Sequence, residues 1–323
     1  MLFAGFFIMK LNITIDRDCF NTRLDALVSE TVSFCSRSRA VRLIETGEIR
    51  VNSLTKKPGY RVRLGDVVTG FIPDSGYEDP IRPETLPINF IYKDAHILVL
   101  NKPAGRVVHP APGNLSGTLV NGLLSFDPDI VNTCEDRFRS GIVHRLDKDT
   151  SGLMVVARTA GALTFLQKEF KYRRVKKKYL ALVHGVLKNE NGRIDLPIGR
   201  HPVKRKMMAI RPENGKPAIT EWKVQARYQA ASRVEIGLKT GRTHQIRVHF
   251  YNNGYPLIGD RVYQYKRFRK KNAIAPRQML HAWKLSFRHP FSGRRMAFKA
   301  DLPDDFLTVQ KKFDQSSSDT APE

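Results

Sequence analysis

The sequence predicts an α+β protein with a small N-terminal unit and a larger unit that is rich in strands. Residues 73–88 separate the two, because this segment holds four prolines and four acidic residues, a composition typical of linkers. Apolar residues recur at helical spacing or alternate at strand spacing on both sides of it. We therefore expect domains at residues 11–72 and 89–309. Residues 1–10 are expected to be a disordered or non-native extension, and residues 310–323 a disordered tail.

The small unit contains two helix patterns and two strand patterns. Residues 24–32, LDALVSETV, have the apolar spacing of a helix. A second helix is predicted to begin at the cap residue Ser36 and to end at Gly47. Residues 48–52 and 60–72 alternate like strands.

The second of these helices is basic. Arg37, Arg39 and Arg42 fit either a solvated helix face or a surface that binds phosphates. The chain has 55 Lys and Arg against 31 Asp and Glu, a formal net charge of +24, which favours a polyanionic partner. Nucleic acid is a better candidate than an anionic membrane. We therefore predict that these three arginines contact nucleic-acid phosphates.

Cysteine content and hydropathy indicate the compartment. Cys19, Cys35 and Cys134 are widely spaced and form no Cys-x-x-Cys pair, so neither a disulfide framework nor structural zinc is expected. The opening MLFAGFFIM is too short to span a bilayer and lacks the basic leading region of a signal peptide, and Met9 is an alternative start. We expect a cytoplasmic protein with no membrane partner.

The larger unit is predicted to contain strands near both of its ends. Residues 90–105 and 221–240 alternate like strands, and 159–172 have the pattern of an amphipathic helix. Residues 177–187 have the pattern of a buried strand. Nothing in this unit repeats.

One segment of the larger unit, HRLDKDTSG at residues 144–152, is dense in functional groups. Apolar residues on both sides predict a strand, a loop and a strand, so that rigid elements hold the loop. Asp147 lies at its centre, and Asp149 makes a carboxylate pair for a metal or for acid–base chemistry conceivable. His144 is the sole further ligand nearby, so a metal is not favoured. Asp149 to Gly152 is more simply explained as a turn whose side chains bond local backbone amides.

A second segment, LKTGRTHQIRVHF at residues 238–250, is predicted to contain a buried cation. Thr243 can cap a helix in which His244 and Arg247 lie close together. Arg247 lies among apolar neighbours, and a buried arginine needs a carboxylate, which a bidentate pair would hold ionised. Asp147 is the candidate for that partner. His244 fits a polar core residue as well as a functional one.

A third segment, RRVKKKYLALVHG at residues 173–185, is basic in its first half. Tyr179 begins its apolar half. The tyrosine ring fits either a packed aromatic or a platform that stacks on a nucleobase.

These segments resemble the RluA-type pseudouridine synthases. The likeness is carried by NKPAGRVVHP, HRLDKDTSG, KKYLALVHG, TGRTHQIRVH, PLIGDRVY and RQMLHAWKLSFRHP, in this order between residues 101 and 290. The N-terminal unit resembles an S4 RNA-binding domain, and the pairing is most similar to the RluD-like branch, which acts on large-subunit ribosomal RNA. The resemblance implies a mixed, largely antiparallel sheet with flanking helices. It also implies conversion of uridine to pseudouridine in RNA, which requires no cofactor and no metal.

The resemblance assigns roles residue by residue. The family's catalytic aspartate matches Asp147, its active-site arginine matches Arg247 and its active-site tyrosine matches Tyr179. Arg145 is implied to enter the RNA stack where the target base has left it. How the carboxylate of Asp147 acts stays open: it can attack C1′, add to the base or remove a sugar proton.

Further RNA contacts are expected outside these motifs' central residues. Arg242 and His244 are predicted to contact RNA, and the protein is expected to be a monomer. Two features depart from the family pattern. Gln264 follows Tyr263 where the family often has glycine, and residues 266–272, KRFRKKN, form an unusually basic segment.

Three alternatives differ in function. The chain could act on transfer RNA, it could be a non-catalytic RNA-binding assembly factor, or it could be a hydrolase that uses Asp147 and Asp149 as paired carboxylates. An inactive relative would be expected to lack one of Asp147, Tyr179 and Arg247, and all three are present. A metal-dependent nuclease would need another acidic cluster, which the sequence does not supply.

Overall fold

The chain divides into two compact units, residues 1–82 and 83–323, and the division falls inside the predicted linker. The computed structural model describes residues 8–32, 35, 37–73, 81–110, 114–134, 136–204 and 207–318. In these ranges no helix has the length and apolar character needed to cross a membrane.

The N-terminal unit combines two helices with a three-stranded antiparallel sheet. Its elements are β1 (Ile8–Thr14), α1 (Leu24–Thr31), α2 (Arg37–Glu45), β2 (Ile49–Val51) and β3 (Val67–Pro73). β3 lies between β1 and β2. Buried aliphatic side chains from all five elements form one core, which explains the helical spacing in α1 and α2.

Two boundaries in this unit differ from the predicted ones. β1 pairs Met9 with Ile72, so residues 8–10 belong to the sheet and the predicted extension is too long. The strand predicted over residues 60–72 is confined to β3, because Gly65 adopts a φ of 81° and makes a turn ahead of it. Ser36, the predicted helix cap, lies outside the described residues.

A nine-stranded sheet organises the larger unit. The strands of the unit are β4 (Asn89–Lys93), β5 (Ile97–Lys102), β6 (Ser151–Ala157), β7 (Lys176–His184), β8 (Asn191–Asp195), β9 (Ile198–Arg200), β10 (Met208–Ile210), β11 (Ile219–Arg227), β12 (Ala231–Leu238), β13 (Leu280–Arg288) and β14 (Arg295–Lys299). The sheet order is β4-β5-β6-β13-β7-β12-β11-β8, with β14 on β13 and with β9 and β10 as a separate hairpin. β6 and β13 are parallel, and the other described strand pairs are antiparallel. The mixed, largely antiparallel sheet is thus confirmed.

Four α-helices flank this sheet. They are α3 (Leu119–Phe126), α4 (Ala160–Lys171), α5 (Gln245–Asn252) and α6 (Asp304–Ser318). The predicted amphipathic helix is α4, whose Leu163 and Leu166 pack in one core with Leu153 and Val155 of β6. Every residue of β6 is buried, as expected of a central strand.

The predicted disordered tail is helical as far as Ser318. Phe306, Val309 and Phe313 recur at helical spacing and pack in one apolar cluster with Tyr228. This packing stabilises α6 beyond residue 309, where the larger domain was predicted to end.

Two predicted strands also differ. Residues 90–105 form β4 and β5 with a turn between them, because Asp94 accepts hydrogen bonds from the amides of His96 and Ile97. Ile142 makes an isolated bridge to Val156 in place of a strand. A strand therefore supports the functional loop on one side, and the tertiary contacts described below support it elsewhere.

The start of β6 approaches β13 very closely. Gly152 has a φ of 119° and pairs with Ala282, and a Cβ at Gly152 would lie 2.3 Å from the Ala282 carbonyl oxygen. No side chain fits there without moving one of the two strands. Gly152 therefore fixes where the loop enters the sheet.

We expect Gly152→Ala to lower the free energy of unfolding by about 1–3 kcal/mol through this clash. Gly237→Ala on β12 is the matched control, since its Cβ would meet nothing within 4 Å. Both tryptophans, Trp222 and Trp283, lie in the larger unit, so urea unfolding followed by their fluorescence reports on it. Equal stability of the two variants would contradict this account of Gly152.

Candidate active site

The loop that precedes β6 alternates buried and exposed side chains. Leu146 is buried at 5% exposure, while Arg145 and Lys148 are exposed. Asp147, between them, is partly buried with 19% of its side chain exposed. The loop is therefore anchored by Leu146, as the sequence indicated, and it presents Asp147 to a cavity.

A fully buried lysine fastens the backbone of this loop. Lys102, at the end of β5, donates from Nζ to the carbonyl oxygens of Pro103 (2.7 Å), Arg106 (2.9 Å) and Lys148 (3.0 Å). Burial lowers the pKa of Lys102 to about 7. Its hydrogen bonds tie the NKPAG turn to the residue that follows Asp147.

A buried arginine fastens the same loop from the other end of the unit. Arg277 donates to the Asp149 carbonyl oxygen at 3.0 Å and to Ser151 Oγ at 3.2 Å. It also forms a two-point pair with Asp305 of α6, at 2.6 and 2.9 Å. Ser151 Oγ lies 2.9 Å from His281 Nδ1. The prediction that the Ser151 side chain bonds local amides is therefore wrong, because distant elements supply its partners.

Arg247 on α5 connects Asp147 to a second carboxylate. Its Nη1 donates to Asp147 Oδ2 at 3.1 Å. Its Nε and Nη2 bond Asp260 Oδ2 and Oδ1 at 2.6 and 2.9 Å. The predicted contact with Asp147 is present, but the bidentate partner is Asp260, which is fully buried. The short loop from α5 to Asp260 makes this pair possible, although Asp260 was not among the residues predicted from the sequence.

The position of Asp260 is itself fixed by backbone amides. Its Oδ1 accepts from the amides of Val262 and Tyr263, both at 2.9 Å. The Tyr263 ring lies 5.0 Å from the Arg247 guanidinium. Arg247 thus has a carboxylate at each end and an aromatic ring beside it. Its two carboxylates raise its pKa even though burial acts in the opposite sense.

His244 closes the site beside Asp147. It is the N-cap residue of α5 with a left-handed φ of 55° and makes no side-chain cap hydrogen bond, so the predicted cap at Thr243 is wrong. Its Nδ1 lies 2.8 Å from the Tyr263 hydroxyl, and its Nε2 lies 3.9 Å from Asp147 Oδ1. Burial lowers the pKa of His244, so a neutral ring beside Asp147 is favoured.

Tyr179 contributes a flat wall to the site. It lies on β7 between β13 and β12, paired with Ala282 and Ile236, and it is 6% exposed. Burial, together with the nearby Asp147 carboxylate, raises the pKa of Tyr179, so the phenol stays protonated at neutral pH.

These side chains line a cavity of about 530 Å³, within the range of small-molecule and nucleotide sites. Among the described residues that line it, Asp147 is the one carboxylate. The cationic side chains that line it are Arg145, Lys171, Arg173, Lys177, Lys239, Arg242 and Arg247. The cavity therefore suits an anionic ligand whose chemistry requires one protein carboxylate.

The candidate metal ligands do not converge. His144 Nε2 accepts the Val155 amide at 3.1 Å, its ring stacks on Phe170, and burial lowers its pKa to about 3. His144 is thus engaged in packing and in a backbone hydrogen bond at the wall of the cavity. Over the described ranges, no three His, Cys, Asp or Glu side chains form a group that could hold a metal ion.

The structure separates the predicted RNA contacts into two groups. Arg145, Arg242 and His244 line the cavity with Asp147. The three arginines of the N-terminal unit differ from one another: Arg37 is exposed and bonds Asp25, Arg42 is exposed, and Arg39 is buried at 5% exposure. Burial of Arg39 argues against its predicted phosphate contact.

Comparison with known proteins agrees with this arrangement. Residues 96–252 match the family described as RNA pseudouridylate synthase, and residues 22–68 match the S4 domain. The chain is 41% identical over 303 residues to ribosomal large subunit pseudouridine synthase D of Neisseria meningitidis, covering 92% of this chain and 80% of that protein. It is 40% identical to an uncharacterized RNA pseudouridine synthase of Bacillus subtilis, covering 93% and 97%. The chain belongs to the RNA pseudouridine synthase family.

A solved structure of the same family supports the fold of this pseudouridine synthase. Human RNA pseudouridylate synthase domain containing 1 superposes with a TM-score of 0.56 and 30% identity, covering 68% of this chain and 85% of that one. The S4 domain at the N-terminus is likewise confirmed by its family match.

Sequence reasoning missed four residues that support the site of this pseudouridine synthase. Lys102, Lys177, Asp260 and Arg277 all lie within or beside segments that carried the resemblance. For Lys102, Asp260 and Arg277 the available signal was a charged residue inside an apolar segment, the same signal that identified Arg247, whereas Lys177 lies in a basic segment. The contacts of Lys102 with Lys148 and of Arg277 with Asp149 could not be assigned, because these residues lie far apart in sequence.

We expect Asp260→Asn to lower the free energy of unfolding by about 3 kcal/mol, since it leaves a buried guanidinium with one carboxylate. Activity should fall by more than tenfold because Arg247 loses its fixed orientation. Urea unfolding by tryptophan fluorescence measures the first effect. Asp195→Asn is the control: its pair with Arg193 is exposed and contributes no more than about 1 kcal/mol. An Asp260→Asn protein as stable and active as that control would refute the role of Asp260.

Proposed function

We propose that this protein converts uridine to pseudouridine in large-subunit ribosomal RNA, with Asp147 as the catalytic residue. The observation that carries the proposal is a single carboxylate, held by Arg247, in a cationic cavity large enough for a nucleotide. The substrate is inferred from relatives that are named ribosomal large subunit pseudouridine synthase D. We also propose that the protein acts in the cytoplasm and as a monomer, since its relatives are named for ribosomal RNA modification.

The reaction is an isomerisation. The N1–C1′ bond breaks, the uracil turns, C5 bonds to C1′, C5 loses its proton and N1 gains one. Atoms and electrons balance with no oxidant and no donor group. The protein must therefore reach the base, weaken a glycosidic bond and hold the free uracil.

Asp147 is the residue placed to weaken the glycosidic bond. An ionised carboxylate beside the sugar can attack C1′, add to the base or remove a sugar proton, and each role needs the oxygen to face the nucleoside. Arg247 occupies Oδ2 and leaves Oδ1 directed toward His244 and the cavity. A neutral His244 does not compete with the substrate for the carboxylate charge.

Tyr179 is placed to hold the free uracil, and Arg145 is placed to help the protein reach the base. The buried ring of Tyr179 is placed to stack on the uracil and limit its rotation and escape. Arg145 is exposed at the edge of the cavity, where a planar cation can fill the gap that a flipped base leaves in the stack. Arg242 is fixed by a 3.1 Å bond to the Pro217 carbonyl oxygen and can meet a flanking phosphate.

The S4 domain is proposed to add affinity that does not depend on base sequence. Exposed Arg37 and Arg42 are its candidate phosphate contacts. Arg37 also bonds Asp25, which Arg23 engages at two points, so Arg37 contributes to the fold as well.

We expect Asp147→Asn to abolish tritium release from [5-³H]uridine-labelled, unmodified large-subunit RNA, because the variant retains the shape but not the charge. Asp149→Asn is the matched control: it lies in the same loop but does not line the cavity. It should keep activity within about threefold. Abasic or cut RNA without tritium release by the wild type would favour the paired-carboxylate hydrolase. Release from transfer RNA alone would overturn the ribosomal substrate and keep the reaction.

Lys177 supplies a prediction about pH. Its ammonium lies 5.4 Å from the centre of the Phe170 ring and 3.4 Å from where a Cβ on Gly241 would be, and no described carboxylate lies within salt-bridge distance. A charged donor in this cavity is suited to a phosphate of the flipped nucleotide. Burial lowers the pKa of Lys177 to about 8, so the charge is present below pH 8 and lost above it.

We therefore expect kcat/KM to fall as the pH rises through about 8. Lys177→Arg keeps its charge and should move this decline to higher pH, while Lys177→Met should lower kcat/KM about tenfold at pH 7. Tritium release between pH 6 and pH 10 measures both. A Lys177→Met enzyme with the wild-type pH profile would exclude a phosphate contact.

A further inference from the structure

The basic segment that departs from the family pattern forms a structured loop on the larger unit. No acidic residue occurs between residues 261 and 300. The basic loop is defined as residues 260–272, and six of its side chains are both basic and exposed: Arg261, Lys266, Arg267, Arg269, Lys270 and Lys271. Residues Lys266–Phe268 and Lys271–Ile274 are short 3₁₀ turns.

A buried asparagine closes the base of this loop. Asn272 Oδ1 accepts the Gly259 amide at 2.8 Å and lies 2.6 Å from His184 Nε2. Its Nδ2 donates to the Asp260 carbonyl oxygen at 3.3 Å and to Gln264 Oε1 at 2.8 Å. The two ends of the loop are therefore bonded together, as in compact surface loops that have a fixed conformation.

Aromatic rings hold the tip of the loop. Tyr265 stacks on Tyr251 at 4.7 Å, and Phe268 stacks on His184 at 4.3 Å with nearly parallel planes. The Arg267 guanidinium lies over both Tyr265 and Phe268, at 5.2 and 4.8 Å. Arg267 is thus committed to packing, and the loop is rigid where its charges are densest.

Arg261 donates to the Pro276 carbonyl oxygen at 3.3 Å. The other four exposed cations of the loop make no such contact among the described residues. None of Lys266, Arg269, Lys270 and Lys271 has a carboxylate within 4.0 Å in the described part of the chain. Holding like charges together on a rigid loop costs self-repulsion, which an opposing polyanion offsets. The base of the loop, Asp260, is the partner of Arg247, so the loop begins at the active site.

We propose that the basic loop is a second RNA-binding surface, which binds backbone phosphates outside the cavity that receives the uridine. Identification of RNA as the polyanion rests on the proposed function. Phosphate contacts of this kind position a nucleic acid without reading its sequence. The rigidity of the loop lowers the entropy lost on binding and favours a fixed register of the RNA relative to Asp147.

The test compares two variants with the same loss of charge. Lys270→Gln/Lys271→Gln removes two cations from the basic loop. Lys188→Gln/Lys223→Gln removes two exposed cations near β8 and β11, at the end of the sheet. Binding of unmodified large-subunit RNA transcript to the full-length proteins is measured from 50 to 300 mM KCl. Thermal unfolding of each variant confirms that it is folded.

Loss of two phosphate contacts should lower the slope of log Kd against log salt by about 1.5. We expect this change in the loop variant and a wild-type slope in the control. At saturating RNA the loop variant should release tritium at the wild-type kcat with a raised KM. A wild-type slope in the loop variant, or the same fall in both variants, would overturn the proposal. A reduced slope without tritium release by any protein would retain the surface and refute the proposed function.

Discussion

The buried guanidinium of Arg247 is the contact on which the site depends. It joins α5 to the loop that carries Asp147 and to the buried Asp260, and it uses different nitrogen atoms for the two carboxylates. Because the two-point pair goes to Asp260, the orientation of Arg247 is set before any substrate binds. The single bond to Asp147 then positions that carboxylate while leaving an oxygen for chemistry. If Arg247 had no carboxylate partner except Asp147, its guanidinium would bond both carboxylate oxygens of Asp147. Neither oxygen would then be left to face the cavity.

The loop around Asp147 has little regular secondary structure. Hydrogen bonds from buried cations hold it on the side where a strand was predicted. Lys102 bonds the carbonyl oxygen after Asp147, and Arg277 bonds the next one. Both cations come from distant parts of the chain and both are buried, so the backbone oxygens that they contact are satisfied without water. The loop around Asp147 is thus held by charged side chains that do not line the cavity.

Local patterns predicted α1, α2, α4 and α5, the strands β6 and β7, and Asp147, Tyr179 and Arg247, but not α3, the central strand β13 or the choice of partners. Asp147, Tyr179 and Arg247 stand in contiguous motifs, so sequence alone identified them. The two-point pair of Arg247 with Asp260 depends on how a turn brings residue 260 back to α5, which no local spacing encodes. The same limit applies to α6. The polar tail concealed the apolar spacing of Phe306, Val309 and Phe313, and their burial depends on a cluster built from other strands.

The net charge of +24 overstates the surface available to RNA, because burial divides the cations into two populations. Arg247, Arg277 and Lys102 are committed to carboxylates or carbonyl oxygens inside the fold. Arg39 is buried as well, although it lies in the segment where the sequence most strongly predicted an RNA surface. Cations that remain exposed and lack carboxylates can exchange counterions for phosphates, and those of the cavity and the basic loop are among them. Exposure and pairing of each cation, which charge counts omit, therefore decide where the RNA backbone can be bound.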